Sequence, residues 1–244
     1  MIGRALRSFL AWLGGHGHVV IFAVLLVVAG TWAFVKLLFE VKEGGTQHFD
    51  EWLIRWLRVH EGPPWLQEVG RDMTALGGVA VMSLVTFAVA GYLLLARRYK
   101  AMLFVLIATF GGLVLSSVLK HFIARDRPSI VEHRSVVYTS SFPSGHSMMS
   151  AVVYLTVGSL LARIMPGRLL KLYFLFLAMG ITFLVGVSRV YLGVHWPTDV
   201  LAGWCGGLVW ALLCWLAARY LQRRGAVEQD APTSEESGEL EVKP

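Results

Sequence analysis

The feature that most constrains the fold is a set of six stretches with little or no charge. They cover residues 19–35, 73–96, 101–119, 147–162, 172–187 and 200–218. A helix needs about 20 apolar residues to cross a bilayer, with a range of about 17–25. The fourth stretch is slightly short, but the polar run FPSGH extends it at its start. Since 56% of the residues are hydrophobic and only 16% are charged, we predict an all-α polytopic membrane protein with six transmembrane helices.

Lysine and arginine predict how these helices are oriented, because cytoplasmic loops carry an excess of both. Basic residues cluster at the N-terminus, between spans 2 and 3, between spans 4 and 5, and after span 6. This pattern predicts that both termini are cytoplasmic and that the loops 36–72, 120–146 and 188–199 are external. The loop 120–146 is also basic, which departs from the rule and requires a functional reason.

The first apolar stretch could instead be a secretory signal peptide. Its apolar run exceeds the usual 7–15 residues, and no clear small-residue cleavage site precedes Lys36. We therefore favour an uncleaved helix. Cys205 and Cys214 are nine residues apart in one predicted helix, so they point to opposite faces and cannot pair.

The charge distribution predicts two regions, a membrane domain at 1–225 and an acidic tail at 226–244. The tail from residue 227 holds six acids and one lysine with few apolar residues, which is typical of a disordered cytoplasmic segment. The remaining chain is basic at its membrane edges. Such charge favours lipid phosphates as partners rather than nucleic acid.

An amphipathic helix is predicted at 48–58, after the first span. Its apolar face contains Phe49, Trp52, Leu53, Trp56 and Leu57. Its polar face contains Asp50, Glu51, Arg55 and Arg58. The segment is too short and too charged to span, so we expect it to lie in the outer interface. It could be an anchor or a wall of a lipid access path, and the anchor is favoured.

The first of three polar stretches is KHFIARDRP, residues 120–128. A single cation at the end of a helix ordinarily complements the helix dipole. Here Lys120, Arg125 and Arg127, followed by Arg134, lie on the side that should be poor in basic residues. This concentration predicts an anion site.

The second polar stretch is FPSGHS, residues 142–147, directly before the fourth span. Ser144 is a typical helix-capping residue, and Gly145 allows a ligand to approach the backbone closely. The free N–H groups of a helix start bind phosphate readily, and His146 would lie in the first turn. Taken alone, Ser144 could be a simple cap and His146 an ordinary interfacial imidazole.

The third polar stretch is SRVYLGVHWPTD, residues 188–199. Pro197 suits the first position of a helix, which places Asp199 in its first turn, where it can reach His195. A carboxylate on one ring nitrogen fixes the histidine tautomer and raises the basicity of the other nitrogen. Asp199 could instead be only an acid at a helix start, but that explains neither Arg189 nor His195. Together the three stretches supply what phosphoryl transfer through a phosphohistidine requires.

With these residues in view, the chain resembles the integral-membrane members of the type 2 phosphatidic acid phosphatase family. The family pattern is Lys-x6-Arg-Pro, Pro-Ser-Gly-His and Ser-Arg-x5-His-x3-Asp, and residues 120–199 match all three parts in order. The resemblance implies that His195 is the nucleophile, Asp199 its orienting partner and His146 the acid that protonates the leaving oxygen. It also implies a set of phosphate-binding residues, which are Lys120, Arg127, Ser144, Gly145 and Arg189. Arg125, Asp126 and Ser188 receive no secure role.

The resemblance implies a hydrolase at the periplasmic face of a bacterial inner membrane that uses no metal or other cofactor. The sequence itself contains neither a HExxH motif nor a cluster of carboxylates. Undecaprenyl pyrophosphate, phosphatidylglycerophosphate and phosphatidic acid are the implied substrates, and no obligate protein partner is evident. Two alternatives stay open. A phosphotransferase would use the same residues, and a non-catalytic lipid transporter would need only the basic loops.

Overall fold

The computed structural model describes residues 17–135 and 139–223, and the elements in these ranges are all α-helices. The helices are α1 (Gly17–Lys42), α2 (Gln47–Val59), α3 (Pro64–Ala75), α4 (Val79–Leu95), α5 (Tyr99–Ile123), α6 (Gly145–Ile164), α7 (Arg168–Tyr191) and α8 (Pro197–Arg223). The predicted all-α class is confirmed. The acidic tail at 226–244 lies outside the described residues.

Five helices are long and apolar enough to cross a membrane, namely α1, α5, α6, α7 and α8. The pair α3 and α4 passes the same criteria together but is bent by 45°, so the number of spans rises to six if the pair is counted as one. The predicted second span began at residue 73, whereas the straight helix begins at Val79. Gly77 lies in this break and is in close contact with two other helices, because a Cβ there would lie 2.5 Å from Val185 and 3.2 Å from the Cβ of His146.

Helix α6 lies at the centre of the bundle. Its N-terminal half is buried from Ser147 to Val153, and α5, α7 and α8 pack around it. The crossing with α8 is close because two glycines of α8 face the α6 backbone. A Cβ at Gly203 would lie 2.8 Å from the carbonyl oxygen of Ser144, and one at Gly207 would lie 2.5 Å from that of Met148. Small residues commonly allow membrane helices to approach in this way.

The outer faces of the long helices expose large apolar side chains, as expected where lipid rather than water surrounds the protein. Examples are Trp32 on α1, Phe87 on α4 and Phe176 on α7. Each is more than half exposed in the isolated chain, with values of 66%, 60% and 64%.

Helix α2 confirms the predicted amphipathic segment, but its polar face is not uniformly exposed. Trp52 and Trp56 are about half exposed, with values of 54% and 48%, which suits an interfacial anchor. Asp50 and Ile54 are buried instead. Asp50 turns inward because Arg125 and Thr198, from two distant segments, donate hydrogen bonds to it.

The three polar stretches meet at one end of the bundle, as predicted. The segment after α5 reaches the start of α8 through Arg125, and the start of α6 reaches it through a hydrogen bond from the Ser144 N–H to the Asp199 carbonyl oxygen. Helix α2 closes this end from the side. Cys205 and Cys214 are both free thiols, in agreement with their predicted separation.

Candidate active site

A cavity of about 430 Å³ opens at the end of the bundle where the polar stretches meet. Six of the eight predicted site residues line it: Lys120, Arg127, Gly145, His146, Arg189 and His195. The other two, Ser144 and Asp199, are fully buried. The structure therefore brings the predicted residues together, six at the cavity wall and two within the protein beneath it.

His195 lies in the short turn that joins α7 to α8. Gly193 gives this turn its shape, because its φ of +72° is a left-handed conformation that favours glycine. Pro197 begins α8, so Asp199 falls in the first turn, as predicted. The Nδ1 atom of His195 lies 3.4 Å from Asp199 Oδ2 and 3.4 Å from the Ser141 hydroxyl oxygen.

The Asp199 carboxylate is held by donors on both oxygens. Its Oδ2 accepts hydrogen bonds from the Ser141 hydroxyl and, at 2.9 Å, from the Trp196 N–H. Its Oδ1 accepts one from Arg125 Nη1 at 2.6 Å. A carboxylate surrounded only by donors is stabilised in its ionised form and in one orientation. Asp199 therefore presents a fixed negative charge to the Nδ1 side of His195.

The Nε2 atom of His195 faces the cavity side, where Arg127 Nη1 lies 3.2 Å away. Backbone carbonyls hold this guanidinium, since it donates to Val194 O at 2.6 Å and to Thr139 O at 2.8 Å. Burial lowers the pKa of His195, and although Asp199 raises it, Arg189 and Arg127 lower it further. The imidazole is therefore neutral at neutral pH. With the proton on the nitrogen that faces Asp199, Nε2 is the unprotonated nitrogen, to which Arg127 Nη1 can only donate.

Three cations surround the polar end of the cavity. Lys120 Nζ donates to Ser140 O at 2.8 Å, and Arg189 Nη1 donates to Thr74 Oγ1 at 2.9 Å. The buried Nε of Arg189 has no hydrogen-bond partner among the residues that the structure describes. Within the described ranges, none of Lys120, Arg127 and Arg189 has a carboxylate at ion-pair distance. Because buried charge is costly unless it is compensated, this arrangement predicts a bound anion.

The start of α6 forms the floor of this anion site. Ser144 caps the helix, since its hydroxyl oxygen accepts from the Ser147 N–H at 3.4 Å and from the Ser147 hydroxyl at 2.9 Å. Gly145 allows Lys120 to lie against the helix start, because a Cβ there would be 3.2 Å from Lys120 Cε. His146 follows in the first turn and lines the cavity. The predicted cap is confirmed, whereas phosphate binding by Ser144 stays a prediction.

Beyond the cations, the cavity continues as an apolar groove between α4 and α5. Its wall includes Met82 and Phe87 from α4, Phe110 and Leu113 from α5, and Met149 from α6. Hydroxyl groups of serine and threonine lie along the same two helices. The site thus joins a cationic pocket to an apolar groove inside the membrane-spanning region, which suits an amphiphile with an anionic headgroup.

Arg125 and Arg134, which the sequence placed among the cations of an anion site, form ion pairs with carboxylates instead. Arg134 forms an ion pair with Glu61 and therefore is not part of the anion site. Ser188 donates to Val185 O at 2.7 Å within its own helix. Asp126 contributes its backbone carbonyl oxygen, which accepts from the Trp196 indole at 2.9 Å. Arg125, which had no secure role, contacts Asp199.

Sequence reasoning missed three residues that hold the site together. They are Asp50, Thr74 and Ser141, which contact Arg125, Arg189 and Asp199 respectively. Ser141 and Thr74 carry no sequence signal, since a serine or a threonine is common in such positions. Helical periodicity placed Asp50 on the polar face, and only the structure shows it on the same helix face as the buried Ile54.

Comparison with known proteins adds independent findings. Residues 100–223 match the family model of the PAP2 superfamily. Phosphatidylglycerophosphatase B of Bacillus subtilis is 38% identical over 151 residues, which cover 60% of this chain and 72% of that protein. The undecaprenyl-diphosphatase of Sulfolobus acidocaldarius is 31% identical over 127 residues, or 49% of this chain and 56% of that one. The crystal structure of a transmembrane PAP2-type phosphatidylglycerolphosphate phosphatase from Bacillus subtilis matches with a TM-score of 0.73 at 33% identity, covering 81% of this chain and 98% of that chain.

Proposed function

The chain belongs to the PAP2 superfamily, and on that premise we propose that it hydrolyses a lipid phosphate or pyrophosphate through a phosphohistidine on His195. One observation carries the proposal. The Nδ1 side of His195 faces Asp199, while its Nε2 faces a pocket of cations that leads into an apolar groove. This is the arrangement that a nucleophilic imidazole needs in order to meet the headgroup of a membrane lipid.

In the first half of the proposed reaction, Lys120, Arg127 and Arg189 bind the phosphoryl oxygens and stabilise their charge in the transition state. Nε2 of His195 attacks phosphorus, and the bond from phosphorus to the lipid oxygen breaks. His146 gives its proton to the departing oxygen. Asp199 stabilises the positive charge that develops on the imidazole and keeps Nδ1 protonated.

In the second half, water replaces the lipid product. His146 takes a proton from the water, whose oxygen attacks the phosphorus of the phosphohistidine. The N–P bond breaks, inorganic phosphate leaves, and His195 returns to its neutral state. Ser144 and the Gly145 N–H are assigned to the phosphate site by the family motif. Their position at the start of α6 supports this assignment.

The substrate is proposed to be phosphatidylglycerophosphate, undecaprenyl pyrophosphate or phosphatidic acid. The relatives are named as phosphatases of the first two kinds. The groove between α4 and α5 supports a lipid, because a soluble phosphate would leave its apolar wall without a partner. Metal independence is part of the proposal, since three cations occupy the position where a metal ion would neutralise phosphate charge.

The site is proposed to face the periplasm of a bacterial inner membrane, with both termini in the cytoplasm. The lysine and arginine pattern supports this orientation. An alkaline phosphatase fused after Arg224 should be inactive, since that enzyme folds only outside the cytoplasm. An active fusion would place the site on the other face.

The deciding experiment uses purified full-length protein in detergent with EDTA present. We expect release of inorganic phosphate from at least one of the three lipids, and a much lower kcat/KM for glycerol 3-phosphate. After an acid-free quench, phosphate should be bound to the protein in an acid-labile form, and the His195→Ala variant should carry none. Complete loss of activity with EDTA would refute metal independence. Phosphate release only when an acceptor lipid is added, with the group found on that lipid, would identify a phosphotransferase.

A further inference from the structure

A buried carboxylate outside the three motifs is connected to the catalytic one. Asp50 lies on the interfacial helix α2 and is fully buried. It accepts a hydrogen bond from Arg125 Nη2 at 2.7 Å. It also accepts from the N–H and the hydroxyl of Thr198, at 3.0 and 2.6 Å. All three contacts come from donors, so Asp50 is an ionised acceptor. It is buried where α2 meets the loop after α5 and the start of α8.

Arg125 joins Asp50 to Asp199. Its Nη1 donates to Asp199 Oδ1 at 2.6 Å, while its Nη2 contacts Asp50. Thr198 Oγ1 accepts from the same Nη1 at 2.9 Å, and the guanidinium carbon lies 5.5 Å from the centre of the Trp196 ring. One guanidinium is thus shared by two carboxylates, and the group as a whole keeps a single negative charge.

Because Arg125 is shared between Asp50 and Asp199, it contacts Asp199 in one particular orientation. An arginine with only one carboxylate partner commonly binds it through two parallel hydrogen bonds, which would engage both oxygens of that carboxylate. Here Asp50 takes the second nitrogen of Arg125, so Asp199 meets the guanidinium through Oδ1 alone. Its Oδ2 is left for His195, Ser141 and the Trp196 N–H.

The sharing of Arg125 by two carboxylates also affects the net charge near His195. His195 is faced by Asp199 from α8, by Arg127 from the loop after α5, by Arg189 from α7 and by His146 from α6. Most of this environment is cationic and opposes the positive charge that attack on phosphorus places on the imidazole. If Arg125 alone compensated Asp199, the carboxylate would offer much less stabilisation to that charge.

We propose that Asp50 is a positioning residue for the reaction: it balances the charge of Arg125, so that Asp199 keeps both its negative charge and one free oxygen for His195. The proposal rests on the proposed function. It assigns to α2 a part in catalysis, in addition to its part as an anchor in the membrane interface.

The test begins with Asp50→Asn, which keeps the shape of the side chain and removes its charge. We expect kcat to fall by about 10- to 100-fold, as is typical when a residue that orients a catalytic group is changed. KM should change by less than about twofold, because Asp50 does not line the substrate cavity. The acid limb of kcat/KM should move to lower pH, since less negative charge near His195 makes its imidazole less basic.

Two further single variants separate this role from a merely structural one. Glu51→Gln is the matched control, because Glu51 is the next residue of the same helix and contacts only Gln47 and Arg55 among the described residues. It should leave kcat and the pH profile unchanged. Asp50→Glu keeps the charge and should recover much of the activity that Asp50→Asn loses.

The decisive variant is the double change Asp50→Asn with Arg125→Gln. If Asp50 serves to balance Arg125, removing both charges should give a higher kcat than Asp50→Asn alone. A purely structural role predicts losses that add. If Asp50→Asn does not fold, the double variant is compared with Arg125→Gln, and activity equal to or above that of the single variant supports the proposal.

The inference is overturned if Asp50→Asn keeps kcat within about twofold of wild type, or if the double variant is no more active than Asp50→Asn alone. Where Asp50→Asn does not fold, a double variant less active than Arg125→Gln overturns it. Neither result would contradict the proposed function, because that function is tested separately by phosphate release from the wild-type protein and by its loss in His195→Ala. A wild-type protein that releases no phosphate from any lipid would instead refute the proposed function.

Discussion

The crossing of α6 and α8 gives the sharpest test of how the site is assembled. His146 is in the first turn of α6 and Asp199 in the first turn of α8, so their separation depends on how closely the two helices approach. Gly203 lies at this contact. The perturbation is Gly203→Ala, which adds one methyl group between the helices near the ends that carry His146 and Asp199.

The magnitude follows from the distances around that methyl group. The new Cβ would lie 2.8 Å from Ser144 O, 3.0 Å from Ser147 Cβ and 3.2 Å from Met148 N, all below the 3.4 Å at which ordinary contact begins. Two of these atoms are backbone, so a rotamer change cannot relieve them. The helices must separate by about half an ångström, and overpacking of this kind costs about 1–3 kcal/mol. The higher helix propensity of alanine offsets about 1 kcal/mol of that cost.

Gly203→Ala should lower kcat more than it lowers the stability of the fold. The separation strains the hydrogen bond from Ser144 N–H to Asp199 O, now 3.0 Å long, and moves His146 relative to His195. Since a displacement of about 1 Å can cost about 100-fold in rate, we expect kcat to fall by about 10- to 50-fold. The assay is phosphate release from lipid in detergent micelles, together with the thermal midpoint of the same preparation.

Gly206→Ala is the matched control. It lies one turn further along α8, and its new Cβ would be 3.6 Å from Phe34, which is ordinary contact. This variant should keep wild-type kcat and equal or slightly higher stability. If Gly203→Ala also keeps wild-type kcat, or if both variants lose activity equally, the close approach of α6 and α8 does not set the catalytic geometry.

Three further predictions concern the site itself. His195→Ala should form no phosphoenzyme, whereas His146→Ala should still form it slowly. The rate of His146→Ala should fall by about 10²–10⁴-fold, and an aryl phosphate substrate should partly restore it. Phosphate trapped on His195→Ala but not on His146→Ala would reverse the two roles. Because burial lowers the pKa of His195, protonation should remove its electron pair only well below the ordinary histidine value of about 6.5. The acid limb of kcat/KM should therefore have its midpoint below about 6.5, while the opposite limb reports the proton that His146 must carry. An acid-limb midpoint at or above about 6.5 would contradict the assignment. Thr74→Val removes the acceptor of Arg189 Nη1 at nearly constant volume and should lower kcat/KM by about tenfold, or about 1.4 kcal/mol, while Thr74→Ser should stay close to wild type.

The fold class and the site were predictable because their signals are local. An apolar run of about 20 residues identifies a membrane helix wherever it packs. The spacing from His195 to Asp199 places both at one helix start in any structure that begins α8 at Pro197. The second span was predicted less well, since residues 73–78 carry no charge, yet residues 73–75 belong to α3 and α4 begins only at Val79. Gly77, which lies in the break between α3 and α4, is in close contact with α6 and α7, and hydropathy does not report such contacts.

The contacts of α2 could not be predicted from local sequence signals. An aspartate four residues before Ile54 and seven before Leu57 lies on a face that packs against the core formed with Val190 and Trp196. Helical periodicity placed Asp50 on the polar face of the segment, so its burial is a finding of the structure. A buried carboxylate must have a cationic or hydrogen-bonding partner. The sequence offers several basic residues on that side of the membrane and no means of choosing among them. The choice of Arg125 depends on how the loop after α5 folds over the start of α8. This arginine links the interfacial helix α2 to Asp199 through contacts that no motif records.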